Sequence, residues 1–427
     1  MGSTGNRRHR RIVIIGGGTA GVAVAARLTN EGETGIAIVE PSSKHYYQPL
    51  WTLVGGGAAK AKTSERKQVG LIPAGVEWIQ QAAVDIDPDD KTVTLANGDV
   101  LAYDVLVVAP GIQVDWDQLP GLTETLGRNG VSSNYRYDLA PKTWDMIRNM
   151  RSGTAVFTMP TGPIKCAGAP QKIAYLAADH WRRQGVLDKI NVVMALPTPG
   201  MFGVPEFARV LEQVVERYGI DVRFQTVASE IDPDAKEVVL HDLAGDTKSR
   251  LAYDFVHAVP PQSAPDWLKA TKLAVPGEAK GWVDIDKNTM QHVRYPDVFA
   301  LGDAGSSPNS KTGAAIRKQA PVVVQNVIDH LRGNEINRHY DGYASCPIVT
   351  ARNKMLLAEF DYTLRVRQYI GPALIDTSRR SGSTCTCSLG PPFMYWNVLM
   401  KGKGGRPRPG ARQLNWPVEV CSRPAGG

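Results

Sequence analysis

The chain has 427 residues, enough for two or three domains and a large core, and its 43% hydrophobic and 21% charged residues are ordinary for a globular protein. The net charge of +7 is modest. Basic residues gather at Arg7 to Arg11 and Lys401 to Arg412 without a basic helix or stacking platform, which argues against nucleic acid and leaves solvated tails or attraction to anionic lipid headgroups. No stretch reaches the ~20 apolar residues that span a bilayer. The first apolar run is too short for a signal peptide. The expected location is therefore the cytoplasm or the face of a membrane. The five cysteines, Cys166, Cys346, Cys385, Cys387 and Cys421, lack paired C-x-x-C spacing, so no metal site is expected. In a reducing compartment any cross-link among them is catalytic rather than structural.

In chain order, Ile12 to Ile15 reads as a buried strand. It runs into Gly16-Gly-Gly-Thr-Ala-Gly21, a helix from Val22 to Leu28, and a second strand from Ile36 to Val39 that ends at Glu40. This is a dinucleotide-binding unit. Gly16 makes the tight turn, Gly18 lets backbone approach a pyrophosphate, and Gly21 with neighbouring Ala20 permits close helix–strand packing. Glu40 stands where an acid accepts a ribose hydroxyl. Ile86 to Gly98 reads as a hairpin with an Asn97-Gly98 turn, and Tyr103 to Gly111 as a closing strand. The plan then recurs in Ile231 to Leu240 and Tyr253 to Pro261, an internal repeat.

The second copy opens differently. After the strand Thr154 to Met159 comes Pro160-Thr-Gly-Pro-Ile-Lys-Cys-Ala-Gly-Ala-Pro170, then a helix from Gln171 to about Arg183. The following strand, Ile190 to Leu196, ends in Pro197-Thr198 instead of an acid. Both marks of a second nucleotide site are missing, and a cysteine occupies the loop. Cys166 lies beside Lys165 and just before a helix N-terminus, two features that favour a thiolate; the alternative is an inert buried thiol. His257, at the mouth of the second closing strand, reads as a hydrogen-bonded histidine or a proton carrier. Val298 to Gly302 is a strand ending at Asp303, followed by a helix from about Gly313.

Several segments together resemble one family: His45-Tyr-Tyr-Gln-Pro-Leu-Trp, Ser133-Asn-Tyr, Lys165-Cys-Ala-Gly-Ala-Pro-Gln-Lys, Gly281-Trp-Val-Asp, Arg294-Tyr-Pro-Asp-Val-Phe, Ser310-Lys-Thr and Asp341-Gly-Tyr-Ala-Ser-Cys-Pro. The chain resembles the sulfide:quinone oxidoreductases of the mitochondrial type, from about residue 11 to about residue 362. The resemblance implies an α/β fold of two Rossmann-like domains, the FAD domain being discontinuous, plus a C-terminal segment that meets quinone and membrane. The expected divisions are 1–115 and 276–338 for FAD, 116–150 as a connector, 151–275 for the second domain, and 339–427 for the C-terminal segment.

FAD is the implied cofactor, with Gly111, Gly302, Asp303, Gln48, Val84, Lys311 and Thr312 joining the first loop in holding it. Cys166 and Cys346 are the implied redox pair. Hydrogen sulfide attacks their bridge, Cys346 becomes the persulfide, Cys166 is released as thiolate, and two electrons pass through FAD to a membrane quinone. The sulfane sulfur leaves to sulfite, glutathione, coenzyme A, cyanide or a second sulfide. Phe360, Tyr362, Phe393, Tyr395 and Trp396 are expected to line the quinone site, and Pro391 to Met400 reads as an interfacial anchor or a core-packing segment. The implied location is the inner face of the cell membrane, or the mitochondrial inner membrane. From about Arg365 to Gly390 the chain departs from the family in poor helix material, and after Gly404 it is rich in Pro, Gly and Arg. Competing readings are a type II NADH:quinone dehydrogenase, which needs the missing second fingerprint, an exported sulfide-oxidising flavoprotein subunit, and a non-catalytic flavin-bearing sulfur sensor.

Overall fold

The computed structural model describes residues 6–367 and 390–403. Cys385, Cys387, Cys421, most of the divergent stretch and the tail beyond residue 403 lie outside the described residues.

β1 (Arg7–Ile15) sits centrally in the first sheet, between β2 (Ile36–Val39) and β3 (Val100–Val108), parallel to both. Its second half, Ile12 to Ile15, is wholly buried, as a β-branched run between parallel neighbours requires. Its basic first half emerges at the sheet end, where Arg8 and Arg10 pair with Glu77 and Arg8 also with Asp99. α1 (Thr19–Asn30) covers this sheet with an almost continuously buried run of small residues. The Asn97-Gly98 turn is present, but it joins Thr92–Leu95 to β3; a separate turn after Asp87 joins Ala83–Asp87 to Thr92–Leu95. The hairpin is thus a three-stranded meander.

The second sheet runs Val131–Ser132, Phe255–His257, β4 (Gly153–Thr158), β5 (Ile190–Ala195), Asp221–Arg223, all parallel. α2 (Ala169–Arg183) packs on it and is buried from Ala169 to Trp181. The antiparallel strands Thr226–Asp232, Glu237–Asp242 and Thr247–Ala252 repeat the meander of the first half. The chain then returns to the first sheet. β6 (Val298–Ala300) pairs in parallel with Leu106 to Val108, and α3 (Gly313–Leu331) packs against α1. A final hairpin of β7 (Ala344–Ala351) and β8 (Lys354–Phe360) lies on α2. The segment 390–403 packs on the first core through Tyr395, Leu399 and Met400, with α4 (Gly390–Met394) running into a wider π-type turn over Tyr395–Leu399.

Candidate active site

The first loop has the shape that a dinucleotide needs. Gly16 has φ +95°, and a Cβ there would meet the Ala109 carbonyl oxygen at 2.2 Å. A Cβ on Gly21 would meet the Gly16 carbonyl oxygen at 1.8 Å, so neither position tolerates a side chain. A Cβ on Gly18 would meet nothing within 4 Å, which leaves open space where a pyrophosphate approaches the N-terminus of α1. Glu40 reaches the loop, accepting from Gly17 N–H at 2.8 Å and from Ser42 N–H at 2.7 Å. Ala20 is buried and faces Gly302, which has φ +71° and donates its N–H to Gln319 Oε1. Asp303 follows at the start of the Gly302–Ala304 turn; burial pushes its carboxyl up, opposed by Lys311 and Lys165. Gly111, at φ +83°, ends the passage out of β3. Val84 is exposed and falls where Ala83–Asp87 shifts register against its partner strand. These residues form one contiguous strip along the first sheet's carboxyl edge and the loops beside it, except Val84, which stands apart on the meander.

The second loop carries a thiol instead. Cys166 adopts φ +55°, a left-handed conformation rare for a residue with a side chain. Its amide donates to the Lys311 carbonyl at 2.9 Å, tying the cysteine loop to the strip just described. Cys346, from β7, reaches across 180 residues of sequence to place its Sγ 3.8 Å from Cys166 Sγ. Gly168 makes this approach possible, because a Cβ there would lie 2.6 Å from Cys346 Sγ. Both are free thiols, Cys346 buried and Cys166 half-buried.

The thiols are electrostatically unequal. A hydrogen bond from the Cys346 thiol, with the charge of Lys172 and its Nζ 3.1 Å away, outweighs burial and holds Cys166 well below the usual thiol range. The same hydrogen bond and burial push Cys346 well above it. Burial works against the Lys172 ammonium, but the two sulfurs facing it more than compensate. Here the sequence reading needs correcting. Lys165, the immediate neighbour, turns away: its Nζ donates to Gln48 Oε1 at 2.8 Å between the Trp51 and Tyr135 rings, and burial brings its pKa down to about 8. Lys172 lies in the same octet, but only the turn at Cys166 brings the first turn of α2 back onto the sulfur. Tyr135, which the sequence offers only as the end of the Ser133-Asn-Tyr segment, stands beside the thiol loop, its hydroxyl donating to the Cys166 carbonyl at 3.4 Å.

Around the pair, Lys311 is buried with Nζ donating to the Asp303 and Gly305 carbonyls and lying 3.9 Å from the centre of the Trp282 ring. Burial lowers its pKa to about 8. Thr312 caps α3, its hydroxyl accepting from Ala315 N–H. His257 is the bland alternative. It is fully buried, contacts Asn134 through Nε2, and is held neutral by burial with a pKa near 3.

The five aromatic residues expected around a quinone divide: Phe393, Tyr395 and Trp396 share one segment, with Tyr395 and Trp396 in edge contact, while Phe360 and Tyr362 pack on other neighbours. Phe360 packs edge-on against Phe202, and Tyr362 donates to the Lys287 carbonyl beside Tyr340. Phe393 is 61% exposed and, with Trp396, borders a groove of about 400 Å³ that also includes Leu50, Ala58, Lys60 and Arg66. Tyr395 points inward to the first loop, its hydroxyl 2.5 Å from His45 Nε2 and 2.8 Å from Thr19 Oγ1. The segment is therefore part core and part surface.

Two nucleotide-type sheets with parallel cores, one glycine loop and an apposed thiol pair define a two-domain flavoprotein class, and the model of the pyridine nucleotide-disulphide oxidoreductase family matches residues 10–325. Among curated proteins, the mitochondrial sulfide:quinone oxidoreductase of Dictyostelium discoideum is 41% identical over 92% of this chain and 86% of its own length. That of Mus musculus is 37% identical over 94% of this chain and 88% of its own. The solved sulfide:quinone oxidoreductase of Aquifex aeolicus shares the fold with a TM-score of 0.73 at 20% identity, covering 83% of this chain and 85% of that one. The chain belongs to the sulfide:quinone oxidoreductase family.

Proposed function

We propose that this chain oxidises hydrogen sulfide through a Cys166–Cys346 redox pair, with FAD as cofactor and a membrane quinone as electron acceptor. The observation that carries the reading is the 3.8 Å contact between Cys346 Sγ, on β7, and Cys166 Sγ, in the loop where a second nucleotide fingerprint would stand. In the oxidised pair, hydrosulfide attacks Cys346 Sγ. A sulfur–sulfur bond forms there, the inter-cysteine bond breaks, and Cys166 leaves as thiolate. Lys172 Nζ, 3.1 Å from Cys166 Sγ, favours this direction, because the thiolate it stabilises is the better leaving group. Lys172 neutralises the charge that appears on Cys166. A small nucleophile then takes the outer sulfur and leaves Cys346 as thiolate; loss of two electrons from the two thiolates restores the bridge. Sulfite, glutathione, coenzyme A, cyanide and sulfide all have the required nucleophilicity. Bound FAD supplies the two-electron relay from the thiols to quinone. The residues that would hold it are Gly16, Gly18, Ala20, Gly21 and Glu40 at the dinucleotide end, and Gly302, Asp303, Lys311, Thr312 and Gln48 nearer the thiols.

For the quinone we favour the groove of Leu50, Phe393 and Trp396 over the Phe360 and Tyr362 side. The Trp396 and Phe393 side chains and Leu50 give this groove apolar walls that suit a quinone ring. Among the described residues no helix is long and apolar enough to cross a membrane. Phe393 beside Lys60 and Arg66 gives a peripheral contact its apolar and cationic parts, and the mitochondrial relatives favour a quinone-bearing mitochondrial membrane as the surface. The test is anaerobic addition of sulfide, and separately of NADH, to the purified protein while following the flavin spectrum. Bleaching by sulfide alone is expected; bleaching by NADH alone would overturn the reading.

A further inference from the structure

The segment 390–403 runs along α1 in the same direction as the helix. At its start Tyr395 meets Thr19, the first residue of α1; at its end Asn30 Nδ2 donates to the Lys401 carbonyl at 3.1 Å, and Arg27 to the Lys403 carbonyl. The hydrogen bonds at the Tyr395 end have one consistent direction. His45 Nδ1 lies 3.1 Å from the Gly17 carbonyl, which can only accept, so Nδ1 carries the proton. Nε2 is then an acceptor, and burial holds His45 neutral with a pKa near 4. Tyr395 O–H therefore donates to His45 Nε2 at 2.5 Å, and its oxygen accepts from Thr19 Oγ1 at 2.8 Å. The Tyr395 ring is buried and lies 4.3 Å from that of Tyr47, the residue before Gln48.

Gly17 and Thr19 flank Gly18, the residue with open space on the pyrophosphate side. The chain of bonds thus fixes the loop on both sides of the position that the cofactor approaches, and it does so from a segment more than 370 residues away in sequence. We infer that Tyr395 is a positioning residue for the cofactor: the C-terminal segment is a strap whose tyrosine hydroxyl locks the dinucleotide-binding loop, so that retention of FAD depends on it. The physical basis is preorganisation. A loop already held in its bound shape loses less freedom when the ligand arrives and releases it more slowly. The inference rests on the FAD reading; a purified protein without a flavin spectrum would defeat that reading, visibly and separately.

The test is the rate at which the purified holoprotein releases FAD on dilution, followed by flavin fluorescence. Tyr395→Phe keeps the ring and its packing and removes only the hydroxyl. About tenfold faster release or more is expected, because the hydroxyl makes two hydrogen bonds and both are lost. Thr19→Val is expected to speed release less than Tyr395→Phe, Thr19→Ser to retain the wild-type rate, and Tyr395→Phe with Thr19→Val to be no faster than Tyr395→Phe alone, because Tyr395→Phe already removes the Thr19 bond. Release from Tyr395→Phe at the wild-type rate would overturn the inference. So would a double variant whose effects simply multiply, since the hydroxyl and the loop would then be acting independently.

Discussion

The loops that follow β1 and β4 occupy equivalent places, each between the first strand of a parallel sheet and a helix, yet they hold different things. After β1, Gly16 and Gly21 let the chain turn and pack tightly, and Gly18 leaves open the space proposed for a phosphate. After β4, a cysteine turns through a left-handed conformation and sets its sulfur beside a lysine and a second thiol. Both loops exploit the same property, a helix N-terminus that stabilises negative charge. The difference is whether that charge arrives on a ligand or belongs to the protein. A nucleotide loop becomes a thiolate loop when glycine gives way to cysteine and a lysine on the next helical turn supplies the counter-charge.

The largest expected effect tests the thiolate loop. Cys166→Ser and Cys346→Ser should each slow flavin bleaching by sulfide on the order of a thousandfold or more, because residues acting as one unit fail together. Bound FAD should remain at wild-type stoichiometry; retained bleaching in either variant would separate the thiols from the chemistry. Next is the glycine loop. Gly18→Val should empty the protein of FAD, because its side chain would fill the open approach, while far-ultraviolet circular dichroism stays native. A flavin-replete Gly18→Val would mean that the pyrophosphate lies elsewhere.

A smaller effect, with a distinctive pH signature, is expected at Lys172. Lys172 helps to hold Cys166 below the usual thiol range, so the wild type keeps its thiolate to lower pH than a variant without the lysine. In Lys172→Met the Cys166 pKa rises and the sulfide-dependent rate should fall about tenfold or more at pH 6.5, recovering as pH rises and the thiol ionises. A uniform loss at every pH would assign the lysine another role. The smallest change expected is in Gly168→Ala. The new Cβ would lie 2.6 Å from Cys346 Sγ and push the sulfurs apart, reducing the bleaching rate several-fold with FAD content unaltered. An unchanged rate would show that the pair tolerates the shift.

The sequence by itself determined the two strand–loop–helix units and the identity of the first loop, because strand periodicity and glycine spacing are local signals. It also located both cysteines, through segments whose residue order is specific. Their pairing was legible only through resemblance, since nothing in a separation of 180 residues encodes contact. Tertiary structure alone chose Lys172 over Lys165: neighbours in sequence diverge once the backbone enters the left-handed region, and a residue six places on returns across the turn. It also divided the C-terminal aromatic residues, sending Tyr395 into the core and Phe393 out to the surface. Apolar character marks a segment as seeking burial, but which ring is buried depends on the surface that the rest of the chain presents.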